Sequence, residues 1–388
     1  MSRLPGSGVW LLGLITIAVY GSWYYAFGVL LDPIIADTGW PEPTLTAAFG
    51  ASILIGGVGA IGGGWLLDRH GSRVVFGLAG VAGAIAFLAA SSATTAGVFA
   101  VSVAVGGGIF GALGFYHVTQ TVAVRIAPRK ASRAIALLTI WGAFASAVFI
   151  PLTALLLSRY GWRSALTAVT LIAACLLGLG ALTFNTKLSD PRGEAKAFKV
   201  VRDSLRIPSA RRFLISQAMA GMAASVVLAY QVPAMTSAGL SLAAASFWAG
   251  FRGFSQLAGR LPLMPIVDRL GVTRTMRVAY LSFAVGVVAL AFAGTPLLAA
   301  VYALAAGFGI GALSPLVGMF TSELFDGKSL GTAMGTVSLV FFGAGALGAP
   351  IAGIVASISG SRAVAVIGAA VLAALAAIVL SPPRAGRT

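Results

Sequence analysis

Gly62-Gly63-Gly64-Trp65-Leu66-Leu67-Asp68-Arg69-His70-Gly71-Ser72-Arg73 closes a glycine-rich apolar run in a burst of charge, and Val74-Val75-Phe76 opens the next apolar run at once. A turn this short, with charge confined to it, is how a chain leaves a bilayer and re-enters it. The pattern returns. Asp268-Arg269-Leu270-Gly271 repeats Asp68-Arg69-His70-Gly71 at a shift of 200 residues, and Gly311-Ala312-Leu313 repeats Gly111-Ala112-Leu113 at the same shift. Pro151 and Arg163 recur as Pro350 and Arg362, both at 199. One short match would mean little in a chain rich in Ala and Gly. Four in register, at corresponding segments, predict a duplicated unit.

Composition says what surrounds that unit. Of 388 residues only 9% are charged and 59% are hydrophobic, with a mean hydropathy of +0.97. A soluble domain carries about a quarter of its residues charged, so much of this exterior must face lipid. A span needs about 20 apolar residues. Twelve can be drawn, at 9–31, 44–66, 74–93, 97–120, 131–158, 163–184, 211–236, 242–263, 275–293, 296–320, 329–357 and 361–380. The first is too long for the core of a signal peptide and reads as a retained helix. The one long polar stretch, 185–210, holds Asp190, Pro191, Arg192, Glu194, Lys196 and Lys199. The expectation is an all-α membrane protein: a six-helix bundle over 1–184, a cytoplasmic loop over 185–210 and a second six-helix bundle over 211–388. The 50 glycines suit close helix packing, and the single Cys175 excludes a disulfide framework or a cysteine metal cluster.

The net charge of +16 suggests nucleic acid until the charges are located. They lie in the short links between spans, with no basic helix or aromatic-lined groove beyond them, so no nucleic-acid partner is expected. With the N-terminus inside, 21 of the 26 Lys and Arg fall on the cytoplasmic side and three, Arg159, Arg163 and Arg362, on the other. Such asymmetry places both termini in the cytoplasm, in a multi-pass protein of the plasma or inner membrane with lipid as its surroundings. Parallel six-helix repeats around a central site are a transporter architecture. No Gly-x-x-x-x-Gly-Lys-Ser/Thr loop is present, so any driving force is a gradient. No nucleophile–base pair or metal cluster suggests an enzyme, no cofactor is expected, and the chain is expected to act as a monomer.

The segment Gly62 to Arg73 resembles the signature loop of the major facilitator superfamily between helices two and three, and Gly259-Arg260-Leu261-Pro262 through Gly271 resembles its degenerate second copy. The resemblance spans essentially the whole chain and implies the major facilitator fold. It also implies that Asp68, Arg69 and Arg73, with Asp268 and Arg269 in the second half, form a cytoplasmic gate latch in which Asp68 meets the N-terminal end of helix eleven and nearby arginines. The competing reading is a solvated charge cluster that only sets topology. Within the superfamily, Tyr24-Tyr25-Ala26-Phe27-Gly28-Val29-Leu30, Gly39-Trp40 and Gly259-Arg260 look most like the monocarboxylate and oxalate/formate porters.

Arg252 carries the most information. It lies near the middle of the eighth span, where a charge costs about 2.5–3.5 kcal/mol on insertion scales. Its counterpart in the first half is Ser52. Porters of the resembled group place an arginine on helix eight to hold the substrate carboxylate, and a guanidinium can do so through two parallel hydrogen bonds. The alternative is an arginine satisfied by helix carbonyls or an acidic neighbour, but all ten acids fall at span ends or in links. That lack of mid-membrane acid disfavours a cation or polyamine, and one Asn and four Gln are few for a sugar. Oxalate exchangers carry a second cation, a lysine on helix eleven, and this span has none. The expected substrate is therefore a small organic monoanion, a monocarboxylate, moved by alternating access of the two bundles. A carrier for efflux of drugs or other hydrophobic compounds is the alternative; it fits the apolar lining but lacks the buried acid and the Gly-Pro motif on helix five, where Ile150 precedes Pro151.

Further candidates for the substrate site are Tyr20 and Tyr24 on one face of helix one, Tyr116, His117 and Gln120 on helix four, and Gln231 on helix seven. Aromatic residues near helix ends commonly serve as interfacial belts or packing, which is the competing reading for each. His117, the one histidine inside an expected span, leaves protons open as a coupling ion.

Overall fold

In hydrocarbon every backbone amide must find its partner within the protein, and a helix does so within itself. The computed structural model describes residues 7–187, 207–324 and 330–382, and every element among them is helical. α1 spans Gly8–Thr38, α2 Glu42–His70, α3 Ser72–Ser91 and α4 Ala96–Ile126. The helix Ala131–Thr183 is two crossings, because Gly161 (φ 76°, ψ 170°) interrupts it; they are α5 (131–160) and α6 (162–183). α7 is Pro208–Ser237 and α8 is Leu242–Arg260. α9 is Val272–Ala291, α10 Pro296–Leu324, α11 Leu330–Ser359 and α12 Arg362–Val379. Ten described helices are long and apolar enough to cross a membrane. Gly161 divides one of them, and α8 is absent from the ten because Arg252, Ser255 and Gln256 lower its hydropathy. Twelve crossings result, as the spacing of the apolar runs predicts.

Several boundaries differ from expectation. α1 was expected over 9–31 but runs on to Thr38, with a π-turn at Gly21–Tyr25. α2 continues through His70, so Asp68 and Arg69 are helical and His117 is not the only histidine in a helix. α4 is broken at Phe115 (φ −81°, ψ −179°) into Ala96–Gly114 and Tyr116–Ile126. α8 stops at Arg260 and a short helix, Leu263–Leu270, follows. Most of the central stretch, with Asp190, Arg192, Glu194, Lys196 and Lys199, lies outside the described residues, as do Arg3, Lys328, Arg384 and Arg387.

Contacts gather the chain into two compact units, Met1–Pro191 with Ser241–Gly253, and Arg192–Leu240 with Phe254–Thr388. The first unit thus takes in the front of α8. A β-carbon on Gly250 would lie 3.2 Å from Pro151 Cγ, and one on Gly253 would lie 2.5 Å from the Ala143 carbonyl oxygen, so these glycines let α8 lie close on α5. The second unit is built on Phe213, Met276, Tyr280, Leu316 and Phe320, packed with Val337 and Ala376.

The duplication is written in the backbone. Among the described residues six glycines have positive φ, and they form three pairs: Gly39 with Gly239, Gly71 with Gly271, and Gly161 with Gly360. Their separations are the 200, 200 and 199 residues of the sequence repeat. Each ends a helix in a region of φ that a side chain disfavours. Thr95 and Thr295 likewise cap α4 and α10, each accepting the amide three residues on.

Within each unit one counterpart glycine, Gly111 or Gly311, sits at a close helix crossing. In the first, α2 meets α4 where a β-carbon on Gly111 would lie 2.9 Å from Gly56 Cα and one on Gly63 would overlap the Ala112 carbonyl oxygen. In the second, α8 meets α10 where a β-carbon on Gly311 would overlap the Gln256 carbonyl oxygen and one on Gly259 that of Phe308. Small residues let the backbones approach where no hydrophobic force drives them together. Gly62, one residue from Gly63, has open space around it. Gly63→Ala and Gly311→Ala are therefore expected to destabilise by about 1–3 kcal/mol through overpacking. Gly62→Ala is expected to stabilise by up to about 1 kcal/mol through helix propensity. Thermal unfolding of the purified protein in detergent would separate the two classes.

Candidate functional site

Two departures from regular helix lie side by side in the first unit. At the π-turn of α1 the Ala26 amide bonds the Gly21 carbonyl at 3.1 Å, five residues back. At the break in α4 the Phe115 carbonyl restarts the helix by accepting the amides of Val118 and Thr119. Tyr20 stacks on Phe115 at 3.8 Å and 12°, and lies 5.5 Å from Tyr116 and 6.2 Å from Tyr24, ring to ring. Tyr24 meets Phe115 edge-on at 4.8 Å. Three of the expected residues, Tyr20, Tyr24 and Tyr116, thus share one aromatic cluster, with Phe115 at its centre. Tyr116 fits because Gly142 on α5 has no side chain to oppose its hydroxyl.

Arg252 stands over Tyr25, the last residue of the π-turn. It is only 2% exposed, and its guanidinium carbon lies 5.9 Å from the centre of the Tyr25 ring. That approach brings the cation toward the negative face of a π system. Tyr20, Tyr25 and Tyr116 are half-buried, so the cluster is not sealed on every side. Ser52, the counterpart of Arg252, does different work. Its hydroxyl accepts Trp23 Nε1 at 2.9 Å and donates to the Phe49 carbonyl at 2.6 Å, which fixes α1 against α2.

The other expected residues are more dispersed. Tyr24 is buried, its hydroxyl donating to the carbonyls of Ser52 (3.3 Å) and Gly107 (3.5 Å). His117 Nε2 lies 2.8 Å from the Ala112 carbonyl, which the break leaves without its helical partner. A carbonyl can only accept, so Nε2 carries the hydrogen there. Gln120 is half-buried one turn on. Gln231, in the second unit, is fully buried and accepts the Tyr302 hydroxyl at 2.9 Å.

At the end of α2, Asp68 forms an ion pair with Arg125 from the end of α4, and Arg125 also donates to the Leu67 carbonyl at 3.4 Å. Arg69 lies over the Trp65 ring at 5.3 Å, and Arg73 is exposed. The N-terminal end of α11 adjoins residues 325–329, which lie outside the described set. In the second unit Asp268 and Arg269 are exposed, and the residue matching Arg125 at a shift of 200 is Phe325. The repeat kept the motif but not its arginine partner.

At the opposite end of the first unit Asp37 accepts Trp162 Nε1 at 2.8 Å and pairs with Arg163 at 3.9 Å. Arg163 also donates to the carbonyls of Ser91 and Ala93, each at 3.0 Å. The second unit repeats this with a hydroxyl in place of the carboxylate, Arg362 donating to Ser237 at 3.2 Å. Sequence reading overlooked Tyr25, Phe115, Asp37 and Arg125. The recurrence of Arg163 as Arg362 was a usable signal for the third, since Asp37 and Ser237 also stand 200 apart.

Ten described helices long and apolar enough to cross a membrane mark a polytopic membrane protein. The chain belongs to the Major Facilitator Superfamily, whose family model matches residues 12–229 and 213–388. Monocarboxylate transporter 13 of Bos taurus is 26% identical over 342 residues, 87% of this chain and 79% of that protein. The Rattus norvegicus protein of the same name is 25% identical over 303 residues, 77% of this chain and 70% of its own length. Among solved structures, the nucleoside transporter NupG superposes with a TM-score of 0.80 at 14% identity, over 96% of this chain and 97% of that one. The xylose transporter XylE from E. coli gives 0.69 at 16% identity, over 98% and 97%. These superpositions establish the fold.

The Asp68–Arg125 pair sits between the surface and buried cases, with side chains 39% and 14% exposed. A double-mutant cycle with Asp68→Asn and Arg125→Gln is expected to give a coupling of about 0.5–1.5 kcal/mol in unfolding, above an exposed pair but reduced by solvent screening.

Proposed function

We propose that this chain is a secondary active transporter of a small organic anion, a monocarboxylate, with Arg252 holding the carboxylate. The observation that carries this reading is Arg252 itself, a cation 2% exposed near the middle of α8 and set over the Tyr25 ring. A buried arginine is expensive alone and far less so when an anion neutralises it. Binding energy of this kind depends on the sign of the substrate, which is what separates an anion carrier from a sugar or cation carrier. The similarity to proteins named monocarboxylate transporter 13 supports the same reading.

Residue roles follow. Arg252 offers two parallel donors to the carboxylate. Tyr20 and Tyr116, half-buried with hydroxyl groups, are the first candidates to touch the rest of the substrate. Tyr24 is held within the first unit by its bonds to Ser52 and Gly107, and Gln231 within the second by its bond to Tyr302. His117 and Gln120 lie beyond the break in α4, where a change of helix angle would be felt first. His117 keeps Nδ1 available to accept a proton, so proton coupling would run through it. Alternating access then follows from binding: the anion neutralises Arg252 and permits the conformations that expose the site to each side in turn. Asp68, Arg69 and Arg73, with Asp268 and Arg269, would latch the cytoplasmic gate. Both termini would lie in the cytoplasm, in the plasma or inner membrane.

Uptake of labelled lactate, pyruvate and formate into proteoliposomes tests the proposal. Arg252→Ala should lose about 2–3 kcal/mol of substrate binding, roughly 30–150-fold in affinity, and Arg252→Lys should recover part of it. If no carboxylate is moved, or if Arg252→Ala transports as well as the wild type, the assignment is wrong.

A further inference from the structure

Among α2, α3 and α4 of the first unit the chain carries an open apolar groove of about 330 Å³. Ile55, Gly59, Gly62 and Trp65 of α2, Leu78 of α3 and Ala112 of α4 line it. Its rim is exposed hydrophobic surface, with Ile55 43% and Leu78 48% exposed, and it is open because Gly62 carries no side chain into the space. From Ile55 to Leu66 the groove follows α2 for about 16 Å at 1.5 Å per residue. That is close to one leaflet, half of a hydrocarbon core of about 30 Å.

The end of this groove is charged, and the charge is positive. Trp65 closes it, with Arg69 over its ring at 5.3 Å and His70 against its edge at 5.8 Å. Arg73 is exposed on the first turn of α3, the helix that supplies Leu78. The only nearby acid of the motif, Asp68, is matched by Arg125, which leaves the charges of Arg69 and Arg73 to act outward. Among the described residues the second unit has no copy of this arrangement. Gly62, Gly64 and Trp65 correspond to Pro262, Met264 and Pro265, where α8 has already ended.

We propose that this groove retains an anionic glycerophospholipid, one acyl chain lying along Gly59 and Gly62 and the phosphate meeting Arg69 and Arg73 above Trp65. Apolar length and terminal charge have to be satisfied by one molecule, and a membrane lipid is the partner with both, at the depth where each is needed. Basic residues beside helix grooves at the membrane surface favour anionic head groups in this way. Tryptophan at the interface fixes the level of the head group. The lipid would brace α2, α3 and α4 along the groove, in addition to the ion pair by which Asp68 and Arg125 join α2 to α4.

Phosphatidylglycerol and phosphatidylcholine with identical chains, added to the delipidated full-length protein, test this by native mass spectrometry and thermal shift. Phosphatidylglycerol should remain bound as a one-to-one adduct and raise the unfolding temperature by several degrees, and phosphatidylcholine should do neither. Gly62→Leu fills the groove without a clash and should weaken retention at least tenfold, as should Arg69→Gln combined with Arg73→Gln. Equal binding of the two lipids, or wild-type retention in both variants, overturns the proposal. So would a change of oligomeric state with Gly62→Leu, which would make the groove a contact between copies. Because the readout is lipid retention, carboxylate transport can fail while this site stands.

Discussion

Hydrocarbon offers a backbone amide no water to bond, and the described architecture follows from that constraint. Helices satisfy their own amides, so every described element is a helix. It is equally telling where the rule is bent. The π-turn at Gly21–Tyr25 and the break at Phe115 each free backbone groups, and the structure rebonds them locally, Ala26 to Gly21 and His117 to the Ala112 carbonyl. The two departures meet where Tyr20 stacks on Phe115. In hydrocarbon, irregular backbone is tolerated only where protein covers it or water reaches it.

The same constraint explains the glycines. Between helices in lipid there is no hydrophobic gain, so association depends on close van der Waals contact. Gly56, Gly63 and Gly111 bring α2 and α4 together, and Gly259 and Gly311 do the same for α8 and α10. Where a glycine such as Gly62 has open space around it, it leaves a hollow instead. One residue type thus builds both the close crossing and the groove beside it on a single helix.

The two halves of the sequence repeat keep one backbone plan and differ in their side chains. Three pairs of positive-φ glycines preserve the turns, since no other residue reaches that backbone region without strain. Side chains were free to diverge. Ser52 holds α1 on α2 where Arg252 supplies a charge; Asp68 has Arg125 where the copy has Phe325; Asp37 became Ser237 opposite a retained arginine.

Sequence alone determined the class, the span count, the repeat and the place of Arg252, the one deeply buried charge among the described residues. Those properties are local or periodic: hydropathy sums over about 20 neighbours, and a duplication is visible as a constant shift. It also singled out Tyr20, Tyr24 and Tyr116, which the fold brings into one cluster. What only tertiary structure decided is pairing across distance. Nothing in the spacing of Asp68 and Arg125, or of Tyr20 and Phe115, signals contact, because each pair meets through the packing of separate helices. The break at Phe115 has no proline to announce it, and the groove at Gly62 exists only because α3 and α4 rise on either side. Glycine reads alike in sequence whether it is pressed against a backbone or open to lipid, and the neighbour that distinguishes the two comes from elsewhere in the chain.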